Sequence, residues 1–167
     1  MPEMSKPPRP KNHDTTSWES RTFFVTTGTA AGKALFQTDR MASLFIEVLR
    51  FYMKAAKFVI HDFVVMPNHV HVLLTIPGDM SIEKAMQLIK GNFSFRAKKE
   101  LQYEGEIWQR GFTDVRIRDE QSFLQHQSYI DNNPVRAGLA NSVGDYVHGS
   151  AYLRRQKSAL RANATTV

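Results

Sequence analysis

Two β-forming runs separated by only two residues constrain this chain more than any other feature. Residues 58–66 are rich in Val, Ile and Phe, Pro67-Asn68 is turn chemistry, and His69–Ile76 resumes the β pattern. A parallel neighbour needs a crossover of about a dozen residues or more, so runs this close must pair as an antiparallel hairpin. The other elements arrange around it. Residues 22–27 (Thr-Phe-Phe-Val-Thr-Thr) read as a strand bounded by Gly28 and Gly32. Asp39 is placed to cap a helix whose apolar positions Met41, Leu44, Phe45, Val48, Leu49 and Tyr52 recur at three and four. Pro77-Gly78 stops the hairpin, and Ser81 opens a helix with Ile82, Met86, Ile89, Phe93, Ala97 and Leu101 along one stripe, with Gly91 its weak point. A strand at 115–117 follows. Asp119 then caps a helix through Asn132 that Pro134 should end. The order β-α-β-β-α-β-α begins with the α+β, ferredoxin-like split β-α-β pattern, an antiparallel sheet with helices on one face.

The ends differ from this regular middle. Four of the seven prolines, Pro2, Pro7, Pro8 and Pro10, fall in residues 1–20 among polar neighbours, which predicts a disordered arm. Residues 21–145 form the expected single domain, with 15 basic and 13 acidic side chains. Residues 146–167 carry no acid and four bases, Arg154, Arg155, Lys157 and Arg161, and read as a basic C-terminal tail. The overall charge of +6 is therefore mostly a property of the tail, and it invites a polyanionic partner.

Several classes of function are excluded. With no cysteine in 167 residues, disulfides, thiolate nucleophiles and cysteine zinc sites are out. The longest mostly apolar run, 63–76, is broken by Pro67, Asn68, His69 and His71 and is too short and polar to span a bilayer. The first twenty residues lack the apolar stretch of a secretory signal. A soluble cytoplasmic protein, with no membrane partner, is the expectation. There is no Gly-rich phosphate loop after a strand, no G-x-S-x-G and no conspicuous carboxylate pair.

Two clusters remain that could carry chemistry. His69 and His71 are two apart on a strand, so both point to one face while Val70, Val72 and Leu74 point to the other. On spacing alone they are either two half-buried histidines beside a turn or a pair of ligands for a divalent cation. Tyr129 and Asn133 are four apart on the last helix, one above the other on one face. They read either as a core aromatic and a helix-ending residue or as a hydroxyl nucleophile beside an amide ligand.

Four blocks bear on these alternatives together: Val64-Val-Met-Pro-Asn-His-Val-His-Val-Leu-Leu, Gln87-Leu-Ile-Lys-Gly-Asn-Phe-Ser-Phe-Arg, Trp108-Gln-Arg-Gly-Phe-Thr-Asp and Tyr129-Ile-Asp-Asn-Asn-Pro-Val-Arg-Ala-Gly-Leu. In this order, across residues 21–139, they resemble the single-tyrosine, HUH-class (IS200-like) transposases, and within them the REP-associated tyrosine transposase branch. The resemblance implies that His69 and His71 are the two class-defining histidines, Tyr129 the nucleophile and Asn133 the third metal ligand. It departs at Val115, after Asp114, where relatives often carry histidine.

What the resemblance implies chemically is attack by the Tyr129 oxygen on a phosphorus of single-stranded DNA, giving a 5′-phosphotyrosine link and a free 3′-hydroxyl. Mg²⁺ or Mn²⁺ on His69, His71 and Asn133 would polarise the scissile phosphate. Phenols are protonated at neutral pH, so Gln125 and His126, one turn earlier, are candidate helpers. The implied partner is single-stranded or hairpin DNA formed by repeated extragenic palindromes, met at the nucleoid, by a monomer or a homodimer. Lys90, Arg96, Arg116, Arg118, Arg154 and Arg155 are the candidate DNA contacts, and Trp108, Phe112 and Phe95 the candidate stacking platforms. The alternative from another class is a catalytically idle DNA-binding module on the same fold. A ferredoxin-like interaction domain with no DNA role leaves the basic tail unexplained.

Overall fold

The computed structural model describes residues 19–165. The arm expected over residues 1–20 lies, but for its last two residues, outside them. Along the chain run β1 (Arg21–Gly28), α1 (Asp39–Lys54), β2 (Val59–Met66), β3 (His69–Ile76), α2 (Ile82–Leu101), β4 (Thr113–Ile117), α3 (Glu120–Arg136) and α4 (Ser150–Ala164). The strands form one sheet in the order β2-β3-β1-β4, every neighbour antiparallel. The central hairpin forms as its turn dictates, with Met66 opposite His69 and Val65 opposite Val70.

One face of the sheet carries the main core. Phe23 and Val25 from β1 and Val70, Val72, Leu74 and Ile76 from β3 meet the apolar stripes of α1 and α2. At its centre Phe36, Phe45, Phe93 and Trp108 pack ring to ring, with centroids 5.4–5.8 Å apart. The Ser81 side chain caps α2 by accepting from Lys84 N at 3.0 Å, and Gly91 sits on the exposed side of an unbroken helix.

The other face is different in kind. Among the described residues its buried apolar cluster is Val64, Met66, Leu73, Ile117 and Ile130, with Phe24, Phe123 and Tyr146 packed against them. α3 lies here, on the face opposite α1 and α2. Asp119 caps it, its Oδ1 accepting from Ser122 N at 2.7 Å. A register shift between Ile60 and Asp62 marks a β-bulge in β2. It lets Ile60 and Phe63, three residues apart, both reach the main core and turns the buried carboxylate of Asp62 to the α3 side.

Three local expectations are corrected. The cap of α1 is Thr38, without a side-chain bond, and Asp39 belongs to the first turn, where its carboxylate meets His148 Nε2 at 3.0 Å. Pro134 does not end α3: the helix runs to Arg136 and closes with Ala137 N on Asn133 O at 3.0 Å. Proline removes one N–H and one helical bond, which neighbouring turns and packing can tolerate, and here Pro134 is buried. The segment read as a tail from 146 folds back onto the domain. Tyr146 OH donates to Val65 O at 2.7 Å, Val65 N donates to His148 O at 2.8 Å, and Gly149 bridges to Val64 before α4 begins. No helix among the described residues is long and apolar enough to cross a membrane.

Candidate active site

The strand period places His69 and His71 side by side on the α3 face, with ring centroids 4.9 Å apart. His71 is 4% exposed. Its Nδ1 lies 2.7 Å from Thr26 Oγ1 on the neighbouring strand, and its Nε2 lies 3.4 Å from Asn133 Nδ2. An amide nitrogen can only donate, so Nε2 holds the lone pair and Nδ1–H donates to Thr26. For His69 the partner of Nδ1 is the Asn68 side-chain oxygen at 2.7 Å, an acceptor, so its Nε2 also keeps a free lone pair. Burial, reinforced by the neighbouring His69, pushes the His71 pKa down to about 4, and burial lowers that of His69. Both rings are neutral at pH 7, the form that binds metals.

α3 brings the second cluster to the same place. Tyr129 stands edge-on to His71 at 5.4 Å between ring centroids and edge-on to Phe24 at 5.8 Å, while Phe24 stacks on His71 at 5.3 Å. At 39% exposed, Tyr129 is open to solvent. The Arg136 guanidinium sits 5.5 Å from its ring. Thus one chain supplies both the histidines and the tyrosine. Beside His69 opens a cleft of about 840 Å³ lined by Thr26, Gly28, Asn68, Gln109 and Gly111 among others. Gly28 lets the cleft wall close in: a Cβ on it would stand 3.1 Å from Gln109 Oε1, which would have to shift slightly.

These donors fit a divalent cation. Two neutral imidazoles present lone pairs, each oriented by a hydrogen bond from its other nitrogen, the usual support for a ligating histidine. Among the described residues no three His, Cys, Asp or Glu side chains cluster as a metal group; the Asn133 amide, with Nδ2 3.4 Å from His71 Nε2, would join the pair as a ligand by turning its oxygen inward.

The remaining candidates separate. His126 packs on Phe24 at 4.8 Å with Nδ1 2.8 Å from Ser122 O, so Nδ1–H donates and Nε2 is free one turn before Tyr129. Gln125 lines the exposed outer side of α3 with Leu124 and Ser128. Val115, opposite Phe24 in the β1–β4 ladder, is exposed on the site face. Most of the basic residues singled out in the sequence have internal partners. Lys90 Nζ donates to the carbonyls of Gln109 and Gly111 at 3.2 and 2.8 Å, and burial lowers its pKa. Arg96 bridges Glu47 and Glu100 at 2.8 and 2.6 Å. Arg155 pairs with Asp145, Arg154 joins Asp62 and Asp131, and Arg116 lies 5.6 Å from the Phe23 ring. Arg118 is exposed. Of the aromatics, Trp108 belongs to the core, with Nε1 donating to Lys90 O at 3.1 Å, Phe112 packs partly buried against it, and Phe95 is exposed with Lys99 Nζ 5.6 Å from its ring.

Sequence reasoning missed Thr26, Asn68, Phe24 and Arg136. Asn68 was legible as a turn residue, but its contact to His69 depends on the turn closing. Thr26 and Phe24 reach His71 only through β1–β3 pairing across 45 and more residues.

The histidine pair on β3 is thus met by a tyrosine carried on α3. The family description "Transposase IS200 like" matches residues 22–133, and the chain belongs to that family. Within it the similarity is to REP-associated tyrosine transposases: the Escherichia coli K12 protein of that name is 32% identical over 90 residues, 53% of this chain and 52% of that protein. A solved structure of a REP-associated tyrosine transposase bound to a REP hairpin superposes with a TM-score of 0.62 at 28% identity, covering 78% of this chain and 76% of the other. A Deinococcus radiodurans crystal structure at 20% identity and TM-score 0.52, covering 70% of this chain and 93% of that one, shares the fold. The chain spans about half the length of the curated relatives it matches.

Proposed function

We propose that this protein is a metal-dependent single-stranded DNA endonuclease and strand transferase that acts at hairpin-forming repeated palindromes through Tyr129. The observation that carries the reading is the meeting, within one chain, of the Tyr129 and His71 rings at 5.4 Å with Asn133 at 3.4 Å from His71 Nε2. A simple DNA binder gains nothing from two neutral, oriented imidazoles beside an open phenol.

The Tyr129 oxygen forms a bond to a backbone phosphorus, and the bond from that phosphorus to the 3′ oxygen breaks. The phenolic proton ends on the released 3′-hydroxyl, and the 5′ side stays on the enzyme as a phosphotyrosine. The stored ester lets a strand be rejoined without a nucleotide cofactor. His126 Nε2, held in its lone-pair form by the Ser122 carbonyl, can take the proton and return it. His69 and His71 through Nε2, and Asn133 through its amide oxygen, would hold Mg²⁺ or Mn²⁺. That cation supplies charge stabilisation for the phosphate oxygens and the leaving oxygen. Arg118 and Arg136 are exposed cations on or beside the elements that carry the site, whereas Lys90, Arg96 and Arg154 serve the fold.

The experiment is direct. Purified protein, a labelled single-stranded oligonucleotide carrying a repeated palindrome, and Mn²⁺ or Mg²⁺ should give a covalent adduct on a denaturing gel. No adduct with any such repeat, or an equal amount from Tyr129→Phe, overturns the proposal. A chelator should abolish the adduct.

A further inference from the structure

Asp62 is a carboxylate only 1% exposed, in the middle of a strand. Burying a charge is costly unless it is paired and fully hydrogen-bonded, and here donors come from both α3 and α4. Gln127 Nε2 of α3 donates to Oδ2 at 2.7 Å, Ser150 Oγ of α4 donates to Oδ1 at 3.0 Å, and Arg154 of α4 closes on Oδ1 as well. The second terminal nitrogen of Arg154 reaches back to α3 and meets both oxygens of Asp131, at 2.8 and 2.7 Å. Burial raises the Asp131 pKa and the Arg154 hydrogen bond opposes it.

The positions of these groups on α3 are informative. At 100° per residue, Phe123, Ile130 and Pro134 form the ridge that faces the sheet. His126, Tyr129 and Asn133 lie on one flank of that ridge, towards His71, and Gln127 and Asp131 lie on the other, towards β2 and α4. The ridge itself is thin, since Ile130 and Pro134 are the buried residues of α3. Apolar contact is non-directional, so so few side chains cannot alone fix the roll of a helix about its axis. Hydrogen bonds with fixed geometry can, and the planar guanidinium fork offers them in two directions at once.

We infer that Arg154 is a positioning residue for the Tyr129 nucleophile: by clamping Asp131 to Asp62 it sets the rotation of α3 and so the place of the tyrosine against the histidine pair. The inference rests on the strand-transfer reading for its activity readout, but not for its structural one. α4 thereby acts through α3, and Arg154, paired with two carboxylates, serves the reaction by holding that helix.

The test uses the full chain with Arg154→Lys, Asp131→Asn and the double variant. Lysine keeps the charge but not the fork. At saturating oligonucleotide, and at a temperature where circular dichroism shows each variant folded, each single variant should slow adduct formation about ten- to a hundredfold, as expected for a reacting group displaced by an ångström or less. The Kd for DNA should not change, and the double variant should be no slower than the slower single one, because both remove one unit. In ¹³C-tyrosine-labelled protein the Tyr129 ring resonances, shifted by His71 and Phe24, should move in every variant. An unchanged saturating rate, or unmoved Tyr129 resonances, overturns the inference. So does an Arg154→Lys protein equal to wild type beside an Arg154→Ala protein that loses affinity with a flatter salt dependence, the mark of a phosphate contact. If the wild type forms no adduct with any cation or repeat, the strand-transfer reading fails by itself, and the Tyr129 resonances still decide the role of Arg154.

Discussion

The two faces of the sheet are stabilised by different physics. Towards α1 and α2 strands β1, β2 and β3 present a largely apolar surface capped by a cluster of four large aromatic rings, and stability there comes from close packing. Towards α3 the apolar cluster is small, and the gaps are filled by hydrogen-bonded polar groups: Thr26 with His71, Asn68 with His69, and Asp62 with Gln127, Ser150 and Arg154. The lesson is a division of labour. One face supplies most of the buried apolar cluster, and the second face can then hold neutral histidines and an exposed phenol in fixed directions.

This contrast can be broken from either side. The largest effect should be Tyr129→Phe, which keeps the ring contacts to Phe24 and His71 and removes one oxygen: adduct formation falls to background on a denaturing gel while the melting temperature is unchanged. Phe93→Ala does the reverse. It should cost about 3–5 kcal/mol in urea denaturation, because Phe93 is fully buried between Phe36, Phe45 and Trp108, yet folded protein should still form adduct at the wild-type rate at low temperature. Thr26→Val tests the polar face more finely. Losing the acceptor for His71 Nδ1–H should weaken Mn²⁺ binding by about ten- to a hundredfold by calorimetry, with little change in fold. The smallest effect is set by pH. His71 has a folded pKa of about 4 against an ordinary 6.5, so the unfolded chain binds more protons between those values. Its contribution to stability is full above pH 6.5 and is lost as pH falls towards 4. His71→Asn should flatten the urea midpoint across that window, whereas a substitution on the apolar face should lower the midpoint equally at every pH.

What could be read in the sequence follows the same division. Strands, helices, the hairpin and the caps at Ser81 and Asp119 depend on residues a few positions apart, and local periodicity reveals them. The apolar face was legible for that reason, since its stripes at three and four, and at two, are the pattern itself. His69, His71, Tyr129 and Asn133 were legible as residues through spacing and resemblance, but their mutual distances depend on α3 crossing the sheet. The internal partners of the basic residues were the part the sequence did not show. Arg154 looked like a free cation because no acid lies near it in the chain, yet its partners Asp131 and Asp62 are 23 and 92 positions away. Lys90 and Arg96, candidate DNA contacts in the sequence, bind carbonyls of the 109–111 segment and two glutamates. Pro134 failed as a stop because a proline in the last turn forfeits a single bond, which a buried position can repay.

The strap of residues 146–150 has one more consequence. β2 is an edge strand, and a bare edge of eight residues is a template for intermolecular β-pairing. Here Phe63 N meets Ser150 Oγ, Val65 N meets the His148 carbonyl, and the Val65 carbonyl meets the Tyr146 hydroxyl, while the opposite edge, β4, is only five residues long. The chain therefore shields itself from self-templated aggregation with its own C-terminal segment. A truncation made before Tyr146 to shed the basic residues would leave that edge sticky, and the preparation would be expected to precipitate before it revealed anything about DNA.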